Sequence, residues 1–79
     1  MESMRQLRWM CRRGVLELDV VFDQFLTRVG STLTEHDLEA LKALLLEEDP
    51  MLLAWLIMGE SPPLQHVRMV QFVQQVVAQ

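Results

Sequence analysis

The residues able to bind or react are few, and they crowd into one stretch. Cys11-Arg12-Arg13-Gly14 sets a thiol and two guanidinium groups ahead of a glycine, and Glu17 and Asp19 follow closely. A guanidinium presents planar, paired donors that suit a carboxylate, and a glycine leaves its backbone bare. A partner approaching Gly14 can therefore pair with Arg13 on one side and Glu17 on the other. The same residues also have local duties. Arg12 and Arg13 complement the end of a first helix, Gly14 takes its C′ position, and Glu17 favours the start of a second. The local pattern leans to that second reading, and the stretch permits both.

The remaining reactive side chains are scattered. Cys11 beside Arg12 invites a lowered thiol pKa, but a small apolar residue packed on the first helix is the expectation. His36 is expected exposed in the first turn of a third helix, and His66 solvated or capping. One cysteine and two distant histidines do not make a structural zinc site or a disulfide. There is no glycine-rich phosphate loop and no nucleophile elbow, so the chain is not expected to be an enzyme. The acidic run Glu47-Glu48-Asp49 reads as a solvated helix end with an N-cap.

Size and charge narrow the classes further. Seventy-nine residues make one domain, 1–79, burying roughly 60% of its unfolded surface. A hydrophobic share of 51% with only three prolines points to a folded chain. A lone thiol suits a reducing compartment. The net charge is −4, yet residues 1–14 carry Arg5, Arg8, Arg12 and Arg13 against Glu2 alone. A basic start on an acidic body suggests a polar or acidic protein partner. A nucleic-acid binder would be basic overall, so that class is set aside. The longest uncharged stretches, Pro50–Gly59 and Met69–Gln79, reach about half the ~20 residues of a spanning helix. The arginine-rich start runs straight into the first patterned segment and leaves no removable leader, which fits a bacterial cytoplasmic protein.

Five helices are expected to carry these residues. Residues 3–13 form the first, with Ser3 as N-cap, Arg5, Arg8 and Arg12 on one face, and Leu7, Met10 and Cys11 on another. Trp9 lies between, suited equally to core or interface. Residues 16–29 repeat Leu18, Val21, Phe22, Phe25, Leu26 and Val29 at helical spacing, and Gly30-Ser31-Thr32 stops them. Thr34, with Asp37 as a capping-box partner, opens a helix buried along Leu38, Leu41, Leu44 and Leu45; Glu35, Glu39, Lys42 and Glu47 face water. Asp49 as N-cap and Pro50 at the first position open a short fourth helix anchored by Leu52, Trp55 and Leu56, and Gly59 ends it. Residues 64–78 recur loosely at Leu64, Val67, Val70, Val73 and Val77; the valines also suit a strand, but no strand partner exists. The fold class is all-α, a compact irregular bundle of five short helices.

Two motifs add a resemblance covering about residues 5–75. Trp9, Cys11 to Gly14 and Glu17 to Asp19 read W-x-C-R-R-G-x-x-E-L-D, and Asp49-Pro50, Leu52 and Trp55-Leu56 read D-P-x-L-x-x-W-L. In that order and separation they resemble the SdhE family of succinate dehydrogenase assembly factors. The resemblance implies a five-helix fold. It also implies a factor that promotes covalent FAD attachment to the flavoprotein subunit of succinate dehydrogenase, or of fumarate reductase. Arg13, Gly14 and Glu17 would then be contact residues near the flavin-linking histidine, with Arg12 and Trp9 beside them and Asp49 a weaker candidate. FAD would belong to the client flavoprotein, with no cofactor or metal held by this chain, which is expected to be monomeric. The family also carries an antitoxin-like label, so a regulator opposing a small membrane protein is the alternative. The resemblance implies that many relatives carry a charged tail beyond the last helix, which residues up to Gln79 do not include.

Overall fold

The longest helix forms where the apolar spacing is most regular. In the computed structural model, which describes residues 4–79, it is α2, Leu16–Val29; the others are α1 (Met4–Cys11), α3 (Glu35–Leu45), α4 (Asp49–Leu56) and α5 (Val67–Val77). No strand occurs among the described residues. Ser3, expected to cap α1, lies outside them.

Helix α2 is the centre of the bundle and packs against α1, α4 and α5. Leu18, Phe22 and Phe25 are fully buried and Leu26 nearly so, while Val21 and Val29 lie half-buried at the edges of the stripe. Burying a side chain of this size is worth about 2–3 kcal/mol, so this one helix holds much of the core. The Phe25 ring meets Phe72 edge-on, centroids 5.1 Å apart at 86°. After Val29 the chain tightens into a 3-10 turn, Gly30–Thr32.

The cap of α3 forms as its residue types dictate. Thr34 Oγ1 accepts from the Asp37 N–H at 3.1 Å, and an Asp37 carboxylate oxygen accepts from the Thr34 N–H at 3.1 Å. Leu41, Leu44 and Leu45 are buried and Leu38 is partly so. Trp55 is buried in α4, as its spacing from Leu52 implies. Gly59, at φ +76, ends α4, where the Met58 and Glu60 N–H groups return to Leu53 and Ala54.

Two expectations are corrected here. Asp49 is not the N-cap of α4: Glu48 occupies that position without a side-chain bond, and Asp49 begins the helix. Its carboxylate is taken by a guanidinium, a stronger partner than a main-chain N–H. The last segment is helical, but its stripe is Met69, Val70, Val73 and Val76, with Val77 only partly buried. Leu64 is 90% exposed because it belongs to a separate 3-10 turn, Leu64–His66, ahead of the helix. Arg28 closes the far end, donating to the carbonyls of Val76 and Gln79. No helix among the described residues is long and apolar enough to cross a membrane.

Candidate functional site

Helix α1 stops at Cys11, two residues short of the expected end, so Arg12 and Arg13 do not form its last turn. The Arg12 N–H returns to the Trp9 carbonyl at 3.1 Å, and the Arg13 N–H is taken by the Asp19 carboxylate at 2.8 Å. Asp19 thus holds the incoming chain from the first turn of α2, whose N-cap, Val15, supplies no side-chain bond. Gly14 follows at φ +78, a left-handed conformation that strains any other residue, and lies past the expected C′ position. A Cβ built on it meets no atom within 4 Å. The conformation favours glycine here, and the space above it is open.

Arg13 corrects the sequence reading most sharply. The docking reading exposes its guanidinium as a fork for a partner's carboxylate, and the local reading has it complement the end of the first helix. Instead its side chain is only 18% exposed and turned inward across the start of α4. Nε donates to Asp49 at 2.7 Å, one terminal nitrogen to the Leu45 carbonyl at 2.8 Å, and the other to the Glu47 carbonyl at 2.9 Å. The last carbonyls of a helix have no intrahelical donor, and this guanidinium supplies one. Arg13 and Asp49 are therefore brought together, as a clamp between the α1–α2 corner and the α3–α4 junction.

What the corner offers to solvent is different. Trp9 is 78% exposed, so it is not part of the core. Arg12, Gly14 and Glu17 are exposed, and among the described residues Arg12 and Glu17 have no side-chain partner. Leu16, 75% exposed, and Val20, 45% exposed, extend the apolar surface along α2. Sequence reasoning missed these two. Their signal was present: both are apolar residues four apart that fall outside the Leu18–Phe22–Phe25 stripe. Arg8 ties α1 to α2 through an exposed ion pair with Asp23 at 2.9 Å. The result is a corner with a bare glycine, three exposed apolar side chains, a free cation and a free carboxylate.

A family model described as the flavinator of succinate dehydrogenase matches residues 5–77. The chain belongs to that family. It is 43% identical over 68 residues to an FAD assembly factor SdhE of Legionella pneumophila (strain Lens), covering 86% of each chain. An FAD assembly factor SdhE of Vibrio cholerae is 43% identical over 60 residues, covering 76% of this chain and 69% of its own. That of Coxiella burnetii is 38% identical over 58 residues, covering 73% and 71%. No solved structure matches the chain.

The other reactive groups of this flavinator-family chain lie away from the exposed corner surface. Cys11 is buried, and burial pushes its thiol from 9.0 up to about 12, although Arg13 and Arg8 pull the other way. It packs as a small apolar residue, as expected. The folded thiol keeps its proton where the unfolded one loses it, so its contribution to stability is complete below pH 9 and falls as pH rises toward 12. Iodoacetamide at pH 8 is expected to leave Cys11 unmodified in the folded protein and to alkylate it in urea. Rapid labelling without denaturant would contradict the buried placement. His36 is exposed, as its position in α3 implies. His66 is not solvated: it takes the N-cap position of α5 without a side-chain cap bond, is 3% exposed, and bonds the Glu47 carboxylate at 2.7 Å. Glu47, expected to face water, is turned toward it.

Proposed function

We propose that this chain promotes covalent attachment of FAD to the flavoprotein subunit of succinate dehydrogenase, docking on that subunit through the Gly14 corner. The observation that carries the docking reading is the left-handed glycine in open space, flanked by exposed Trp9 and Leu16 and by the unpaired Glu17. Family membership supplies the client. Large exposed aromatic side chains are the residues that most often dominate binding energy once an interface covers them. Gly14 lets the client's backbone come close, Arg12 and Glu17 offer opposite charges to either side, and Leu16 and Val20 extend the apolar contact.

Arg13 and Asp49 serve this surface from beneath. Their pair fixes the corner in one conformation before the client arrives, which reduces the ordering cost of binding. The bond-forming chemistry belongs to the client and its flavin. The factor acts by favouring the client conformation in which the linking residue and the flavin meet, so it needs no cofactor of its own. Fumarate reductase is a second client of the same kind, and the factor works as a monomer in the cytoplasm.

Deleting the gene is expected to leave the succinate dehydrogenase flavoprotein present without covalent flavin. The check is loss of flavin fluorescence from its band on a denaturing gel, restored by the wild-type gene. Undiminished fluorescence in the deletion strain would overturn the function.

A further inference from the structure

The junction between α3 and α4 is held from two sides. On one side Arg13 donates to the carbonyls of Leu45 and Glu47. On the other, His66 Nε2 donates to the Glu47 carboxylate at 2.7 Å from a side chain only 4% exposed. The imidazole also lies against the Trp55 indole, ring centroids 5.5 Å apart and tilted by 36°. Glu47 therefore spends its carbonyl on the docking corner and its carboxylate on the segment that leads into α5. From His66 to Gly14 the path is two hydrogen bonds and one peptide link, through Glu47 and Arg13.

A histidine at this place is not what packing alone would choose. An apolar side chain would fill the space against Trp55 without burying polar atoms, and burying an imidazole is costly unless it is bonded. Its short bond to a carboxylate oxygen, 2.7 Å, is of the stronger kind. Without the donor, the Glu47 carboxylate loses its side-chain partner. The junction residues then lose one of their two anchors, and the Glu47 carbonyl that Arg13 grips is free to shift.

We infer that His66 is a positioning residue for client docking: through Glu47 and Arg13 it sets the geometry of the Gly14 corner without touching the client. The inference rests on the docking reading above and adds a residue to it. His66→Phe keeps a flat ring against Trp55 and removes the donor, whereas His66→Gln keeps a donor. Glu47→Ala removes the same bond from its more exposed end, so one variant is available that leaves the core untouched.

Two measurements decide it. Calorimetry with the purified client flavoprotein is expected to show about fivefold weaker binding for His66→Phe and for Glu47→Ala. Their combination should lose no more than either alone, and His66→Gln should stay within about twofold of wild type. Amide hydrogen exchange on the factor by itself is expected to show faster exchange at Arg13, whose N–H reports the corner, in His66→Phe and not in His66→Gln. Unchanged affinity in His66→Phe, additive losses in the double variant, or a glutamine as damaging as phenylalanine would each overturn the inference. If wild type itself fails to bind the client, the docking reading falls. The exchange data still decide the coupling then, since unaltered Arg13 exchange in His66→Phe contradicts it.

Discussion

A factor carrying Gly14→Arg is expected to fold and yet leave the succinate dehydrogenase flavoprotein without covalent FAD. Gly14 sits at φ +78, where a side chain costs about 1–2 kcal/mol of backbone strain. For a chain of this length that lowers the melting temperature by roughly 5–15 °C and does not unfold it. Nothing in the molecule opposes the new side chain, because a Cβ at this site meets no atom within 4 Å. In the proposed docking, the arginine instead occupies the space left for the client backbone. Gly14→Ala separates the two effects: it carries the same strain but only one added carbon, so it should retain much of the flavinylation. Flavin fluorescence of the client on a denaturing gel, beside circular dichroism of the purified variants, checks both. A normally flavinylated client with Gly14→Arg would remove Gly14 from the interface.

Arg13→Lys is expected to fail in the opposite way, through stability. The guanidinium satisfies Asp49 and two main-chain carbonyls from three nitrogens held in one plane. A lysine brings one nitrogen on a flexible stem and cannot span the three acceptors. At least one partly buried carbonyl then loses its donor, at a cost of about 1–3 kcal/mol. The Asp49 pair is partly solvated and adds less than a buried pair would. A loss of about 2 kcal/mol should appear as a lower urea midpoint with an unchanged slope, accompanied by partial loss of flavinylation at higher growth temperature. A midpoint equal to wild type would show that the clamp is not needed to hold the corner.

These two neighbours illustrate what was legible in the chain and what was not. Features written in local spacing were readable: the Leu18–Val29 stripe, the Thr34–Asp37 box, Trp55 at its distance from Leu52, and Gly59 as a helix stop. The corner itself was readable, because a glycine between arginines and an acid has a local pattern. The direction of the Arg13 side chain was not. Its partners lie 32 to 36 residues away, and only the packing of α1 beside α3 brings them within reach. The burial of His66 against Glu47 was hidden for the same reason, since Glu47 is 19 residues distant and sits in an acidic run that looks solvated. Asp49 was misplaced because helix-start statistics favour an aspartate cap, and a competing guanidinium overrode them. Leu16 and Val20 were open to a stricter reading of the α2 pattern, as apolar residues left off its buried face.

The central claim is that the Gly14 corner faces the flavoprotein, and crosslinking tests it most directly. A photo-crosslinking phenylalanine analogue at Leu16 would stand on the exposed side of the corner. The control site, Gln75, is exposed on α5 next to Val76, which Arg28 binds at the other end of α2, about 20 Å away. Irradiated cells should yield a covalent adduct between the Leu16-labelled factor and the succinate dehydrogenase flavoprotein, and little or none from the Gln75-labelled factor. A flavoprotein adduct from Gln75 and none from Leu16 would contradict the account.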